Sequence, residues 1–211
     1  MTLNEFNKQR ESRLPSKSKS DASDKKLFLS IVKKRKLEAS TNILEDFSKY
    51  IETLEYDHGD LTKAQYLAHP FRVASLLLQT FPDIEDDYVK LALCHNVIEV
   101  SYLSPNLIET LGIDMMSYVK TLTVDRSCQW NWEYKKNYYH DISKNKITKV
   151  IKIFDKLDNL FLLSESKVKE IKIKYLSEIT NYVMPLVVLE TPSLIDDFKT
   201  LVKINYELLD Q

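Results

Sequence analysis

The sequence contains very little glycine. Its 211 residues include only two glycines, Gly59 and Gly112. A phosphate-binding loop of the P-loop or dinucleotide type needs several glycines at fixed offsets, so neither type of loop exists in this chain. Any bound nucleotide must therefore be held by side chains or through a metal ion. Low glycine also favours an all-α fold, which has few turns that require positive φ.

The sequence also has few cysteines, no long apolar run and a net charge close to zero. Cys94 and Cys128 form neither a disulfide framework nor a metal-binding spacing, which predicts a reducing compartment and a cytoplasmic protein. No stretch approaches the roughly 18 apolar residues of a membrane span, and the N-terminus lacks the apolar core of a signal peptide. The formal net charge of −1 argues against a basic surface. We therefore expect neither a membrane nor a nucleic acid as partner.

The distribution of apolar residues predicts one helical domain behind a polar segment. Residues 1–26 lack apolar periodicity and are expected to form a flexible tail. Across 27–211, apolar residues recur at three- and four-residue spacing, which predicts an all-α bundle of roughly eight to ten helices. Pro70 suits the first position of a helix, which would place His69 at or just before the helix start. Gly112 is expected to end a helix.

Three polar residues interrupt the apolar stretch "LALCHNVIEV" at 91–100. His95 and Glu99 are four residues apart and share a helix face. Asn96 lies about 100° further round the helix. Burying such groups without partners costs about 2–7 kcal/mol for each neutral group. Neighbouring side chains, a metal ion or a substrate must therefore satisfy them.

Two further apolar helices carry polar interruptions. In "VIKIFDKLDNLFLL", Asp155 and Asn159 are four apart, and in "YLAHPFRVASLLL", His69 precedes Arg72 by nearly one turn. Two histidines and a carboxylate from separate helices are suitable ligands for a divalent transition metal, beside which Glu99 would orient or deprotonate a water. The alternative is that each histidine is an ordinary core residue and that the Asp–Asn pair is a cap or a surface pair.

The order of these motifs resembles the HD superfamily of metal-dependent phosphohydrolases. More narrowly, it resembles the hydrolase domain of RelA/SpoT alarmone enzymes and the small alarmone hydrolases. The matching stretches lie in family order over roughly residues 45–190, and they are "YLAHPFRVASLL", "LALCHNVIEVS", "VKTLTVDRS" and "IKIFDKLDNLFLL". The resemblance implies an all-helical HD-domain bundle, usually with manganese, that removes the 3′-pyrophosphate of (p)ppGpp.

The resemblance also implies roles for individual residues. His69, His95 and Asp155 would be metal ligands, and Glu99 would be the carboxylate next to the attacking water. The family's His-Asp doublet is His95-Asn96 here, so Asn96 would occupy a ligand position within the catalytic site. A neutral amide is a poorer donor than a carboxylate to a hard cation such as manganese.

Substrate contacts and departures from the family pattern follow from the same resemblance. Asn159 would contact the nucleotide sugar, and Lys63 or Arg72 would meet phosphate or base. The family's Glu-Asp pair is Glu99-Val100 here. The loop before "YLAHP" lacks the arginine that normally faces the base.

These observations favour an HD-type hydrolase of (p)ppGpp, a nucleotide of the stringent response. Two alternatives stay open. One is a divergent HD protein that binds a nucleotide or a protein without turnover, because Asn96 weakens metal binding. The other is an HD hydrolase acting on another nucleotide. The aromatic segment "QWNWEYKKNYYHD" at 129–141 either holds a base and phosphates or packs an amphipathic helix on the core.

Overall fold

The structure, a computed structural model, describes residues 1–14, 23–35, 38–56, 63–100 and 105–210. Throughout these ranges the regular secondary structure is helical, and the all-α prediction is confirmed. The helices are α1 (Leu3–Arg13), α2 (Ser23–Lys34), α3 (Glu38–Thr53), α4 (Lys63–Thr80), α5 (Asp86–Cys94), α6 (Val97–Val100), α7 (Pro105–Leu122), α8 (Trp132–Ser143), α9 (Lys146–Leu162), α10 (Lys169–Glu178), α11 (Met184–Glu190) and α12 (Ile195–Glu207). Helix α6 is a single turn, and a π-helix over Ile179–Val183 joins α10 to α11.

Some predicted features lie outside the described residues, namely Gly59, most of the loop before "YLAHP" and residues 15–22 of the predicted tail. None of the helices described is long and apolar enough to cross a membrane. The chain divides into two compact units. The middle unit is Lys17–Asp125, and the N/C unit combines Met1–Ser16 with Arg126–Gln211. The boundary predicted at residue 26 falls inside the middle unit.

In the middle unit, α4 packs against α2 and α5. The rings of Phe28 and Phe71 lie 5.6 Å apart between centroids in this core. Pro70 lies inside α4 rather than at its first position, so His69 is in the helix and not before it. Proline in a helix interior costs about 3 kcal/mol because it lacks the N–H donor. Burial of the flanking Leu67 and Phe71 on this helix offsets that cost.

Helix α7 of the same unit changes direction at Gly112. This glycine has φ 76° and ψ 167°, which no helical residue adopts. The first segment of α7 therefore ends at Gly112, and a second segment continues to Leu122.

Helix α9 is the centre of the N/C unit and packs against α1, α8, α11 and α12. Its apolar residues are buried, including Ile151, Phe154 and Leu160. Charged residues of the same helix are buried too, and they are Lys152, Asp155, Lys156 and Asp158. Because water does not reach these charges, each requires a partner within the protein.

Helix α1 occupies part of the segment for which a flexible tail is predicted. It begins with a capping box, in which the Glu5 amide donates to Thr2 Oγ1 (3.2 Å) and the Thr2 amide donates to Glu5 Oε2 (2.6 Å). Phe6 is fully buried and stacks on Phe161 of α9. A single buried aromatic residue is too little to create an apolar periodicity in the sequence.

An ion pair and a cation–π contact also hold α1 on α9. Arg13 Nε lies 3.0 Å from Asp158 Oδ1, and both side chains are almost fully buried. The Arg13 guanidinium also stacks over the Phe161 ring at 4.0 Å. The segment 3–13 is therefore a packed part of the N/C unit.

Candidate metal centre

Two histidines of the middle unit lie side by side. His69 is in α4, and His95 is the C-cap of α5. Their ring centroids are 5.3 Å apart with an interplanar angle of 68°. His95 is buried and His69 is half-buried.

A main-chain hydrogen bond sets the orientation of His95. Its Nδ1 lies 2.8 Å from the carbonyl oxygen of Ala92. A carbonyl oxygen can only accept, so Nδ1 carries a hydrogen, and in the neutral imidazole the lone pair then lies on Nε2. Metal-binding histidines are commonly oriented by this kind of bond on the other ring nitrogen.

Glu99 and Asn96 lie close to His95 in the sequence. Glu99 belongs to the single turn α6, and the amide of Val124 donates to its Oε1 (2.9 Å). Asn96 lies in the turn between α5 and α6, and Tyr66 donates its hydroxyl to the Asn96 backbone oxygen (3.5 Å). Both side chains are half-buried. The roles of Glu99 and Asn96 stay predictions.

Asp155 of α9 is buried in the N/C unit and is bonded at both carboxylate oxygens. Lys152 Nζ lies 2.9 Å from Oδ2, and Asn159 Nδ2 donates to Oδ1 (2.8 Å). The two partners lie three residues before and four residues after Asp155, and therefore on the same helix face. This face presents a carboxylate whose plane is fixed from two sides.

Glu178 at the end of α10 anchors a second buried group of charges in the N/C unit. It is 1% exposed. It contacts Lys135 Nζ (2.5 Å) and Lys156 Nζ (3.0 Å), and it accepts a hydrogen bond from the Tyr139 hydroxyl (2.6 Å). Burial raises the pKa of Glu178, but the charges of Lys156 and Lys135 outweigh this effect and bring the pKa to about 2.

The same group changes the ionisation of Lys135. Burial lowers the pKa of Lys135 to about 8, and the charge of Lys156 adds to this lowering while Glu178 opposes it. Sequence reasoning missed this cluster, because Lys135 and Glu178 are far apart in the sequence and belong to no recognised motif.

Three side chains offer a donor set for a metal ion. His69, His95 and Asp155 each provide one ligand atom, and these atoms all lie within 4.8 Å of one another. Two imidazole nitrogens and one carboxylate oxygen suit a divalent transition metal. The lone pair on His95 Nε2 and the fixed carboxylate of Asp155 agree with this chemistry.

The predicted substrate contacts have different surroundings. Lys63 is exposed at the start of α4, with Nζ 5.6 Å from the centroid of the Tyr56 ring. Arg72 is buried and lies 3.5 Å from Asp24. Asn159 is half-buried and bonded to Asp155. The positions of these three side chains do not test whether they contact a substrate, so the three assignments stay predictions.

The aromatic segment 129–141 has one buried face, through which it packs on the core. Tyr138, Tyr139 and Lys135 are buried, whereas Trp132 is 43% exposed. Tyr139 stacks on Tyr182 with a centroid distance of 5.0 Å and an interplanar angle of 5°. This geometry supports the packing interpretation of α8.

Comparison with known proteins identifies a solved structure with a similar fold. No family model matches the sequence, and no curated protein matches it. Among solved structures, the chain is similar to a metazoan ortholog of SpoT that hydrolyses ppGpp and plays a role in starvation responses. The TM-score is 0.60 at 22% sequence identity, over 76% of this chain and 93% of that chain. The chain therefore shares its all-α fold with that protein.

Proposed function

We propose that this protein is a metal-dependent phosphohydrolase of the HD type that removes the 3′-pyrophosphate of (p)ppGpp. The observation that carries the proposal is the donor set of His69, His95 and Asp155, with ligand atoms within 4.8 Å of one another. The fold shared with a ppGpp hydrolase supports this substrate class. The proposed setting is cytoplasmic, with a nucleotide as partner and neither a membrane nor a nucleic acid.

The three ligands would hold a divalent ion, which we propose to be manganese. When bound, such an ion acts as a Lewis acid and lowers the pKa of water toward neutrality. Asn96, at the position of the family's aspartate, would add an amide oxygen. Because His95 Nδ1 bonds to a main-chain carbonyl, Nε2 is the ring nitrogen that would coordinate the metal.

Glu99 is proposed to orient the attacking water and to accept its proton. A positioned carboxylate of this kind contributes about 10²–10⁴-fold to the rate. In the overall reaction the water oxygen bonds to phosphorus, the bond to the 3′-oxygen breaks, and the 3′-oxygen gains a proton as pyrophosphate leaves. Lys63 and Arg72 would neutralise the phosphate charge, and Asn159 would contact the sugar.

The second candidate function is nucleotide or protein binding without turnover. Asn96 favours it, because a neutral amide replaces a carboxylate at a ligand position. Val100 favours it further, because the second acid of the family pattern is missing.

Metal content and pyrophosphate release test the proposal together. Wild type should bind manganese and release pyrophosphate from ppGpp, and His95→Ala and Asp155→Ala should lose both properties. Glu99→Gln should keep the metal and lose about 10²–10⁴-fold in turnover. Glu85→Gln, an exposed carboxylate of the same unit, is the control and should resemble wild type.

Three results would revise the proposal. Unchanged metal binding in both ligand variants would remove the proposed centre. A wild type that binds manganese but hydrolyses no nucleotide in a panel would favour the binding function. Turnover of a different nucleotide would keep the reaction class and replace the substrate.

A further inference from the structure

We infer that Asn159 is a positioning residue for the metal ligand Asp155, in addition to the sugar contact that the family resemblance implies. The inference rests on the proposed metal centre. It assigns a function to Asn159 before any nucleotide binds.

Asn159 and Lys152 each bond to one carboxylate oxygen of Asp155, and we call this pair of bonds the Asp155 clamp. Asn159 Nδ2 donates to Oδ1 at 2.8 Å, and Lys152 Nζ lies 2.9 Å from Oδ2. The two bonds come from opposite directions along α9, so together they fix both the position and the plane of the carboxylate. Asp155 itself is 7% exposed and Lys152 is 3% exposed, so bulk water has little access to this bond.

The two halves of the clamp differ in charge. Lys152 carries a positive charge, so its removal would loosen the carboxylate and at the same time reduce repulsion of a cation. These two effects on metal affinity oppose each other. Asn159 is neutral, so its removal changes orientation without changing the net charge. A substitution of Asn159 therefore measures the effect of Asp155 carboxylate orientation on metal affinity without a change in net charge.

The test measures manganese affinity without nucleotide. Asn159→Leu and Asn159→Ala should each weaken binding by about 10–100-fold, the usual loss when a partner of a metal ligand is removed. The absorption spectrum of the cobalt-substituted variants should also shift relative to wild type, because the ligand geometry changes.

Asn205→Leu is the matched control. Asn205 is also a buried amide of the N/C unit, but it donates to the main-chain carbonyls of Leu160 and Leu201. Its substitution should lower the melting temperature while manganese affinity stays within about twofold of wild type, because these bonds support packing rather than a ligand.

The outcomes separate the inference from the proposed function. If both Asn159 variants keep wild-type manganese affinity and only raise the KM for ppGpp, Asn159 contacts the nucleotide alone and the inference is wrong. If Asp155→Ala binds manganese as tightly as wild type, the proposed centre fails and the inference fails with it. If Asn159→Leu does not fold, the smaller Asn159→Ala decides the question.

Discussion

The histidine side and the aspartate side of the candidate centre are supported by different kinds of groups. In the middle unit, His95 Nδ1 and Glu99 Oε1 each bond to a main-chain group. In the N/C unit, Asp155 is held by the side chains of Lys152 and Asn159. In the same unit, Glu178 pairs with Lys135 of α8 and Lys156 of α9 in a further network of buried charges.

This difference determines which substitutions remove a group that supports a metal ligand. A main-chain carbonyl or amide remains after its side chain is replaced, so support on the histidine side is insensitive to most neighbouring substitutions. Support on the aspartate side depends on the identity of each partner. We therefore expect the N/C unit to be the more fragile and the more pH-dependent of the two.

The largest effect is expected from Glu178→Leu, which breaks the charge network on the aspartate side. Lys135 and Lys156 would lose a shared buried partner, and leaving buried charges unpaired costs about 3–5 kcal/mol of the free energy of unfolding. Urea denaturation measures this loss. Glu170→Leu is the control, because Glu170 forms an exposed pair with Lys174 and its removal should cost less than about 1 kcal/mol. Equal losses in the two variants would contradict the comparison.

Phe6→Ala should have the next largest effect, because it removes the apolar contact between α1 and α9. Truncating a buried phenylalanine costs about 3 kcal/mol or more. The urea midpoint should fall accordingly, whereas Leu3→Ala, at a residue 48% exposed on the same helix, should leave it nearly unchanged. A small loss at Phe6 would instead support the flexible tail predicted for residues 1–26.

Asn96→Asp tests the histidine side and should change function more than stability. A carboxylate supplies a charge that the amide lacks, and we expect manganese affinity to rise by about tenfold, or about 1.4 kcal/mol. Hydrolysis of ppGpp should rise or appear. Metal titration and pyrophosphate release measure the two effects. If wild type already turns over ppGpp well and the variant behaves identically, Asn96 does not limit the site.

The smallest effect is a pH dependence of the aspartate side. The pKa of Lys135 is lowered from 10.5 to about 8, so above pH 8 the unfolded chain binds more protons than the folded protein. The free energy of unfolding should therefore rise with pH, by about 1 kcal/mol between pH 8 and pH 9. Lys135→Met should remove this contribution, and the exposed Lys136→Met should retain it. Identical pH profiles in the two variants would contradict the assignment.

The sequence predicted the parts of the molecule that depend on local pattern. Apolar spacing indicated the all-α fold, and polar interruptions of apolar helices singled out His69, His95 and Asp155. Both patterns involve residues within a few turns of one helix, so they can be recognised from the sequence alone. The Asp155–Asn159 contact is of the same kind, since residues four apart are neighbours on a helix.

Contacts between distant segments were not predictable in this way. The partner of Asp158 is Arg13, and no spacing rule joins residues so far apart in the chain. Helix α1 was missed because its packing rests on Phe6 and ion pairs rather than on a periodic apolar face. Thr2 and Glu5 did carry a readable signal, because Thr-x-x-Glu is the pattern of a capping box.

The backbone at Gly112 has a stereochemical consequence. Its φ of 76° and ψ of 167° belong to a region that L-residues occupy only at a cost of about 1–3 kcal/mol. A Cβ built there meets no described heavy atom within 4 Å, so the restriction comes from handedness rather than from space. The mirror image of this conformation is ordinary extended backbone. A D-alanine introduced by chemical ligation would therefore fit where L-alanine is strained, and it would also reduce the freedom of the unfolded chain.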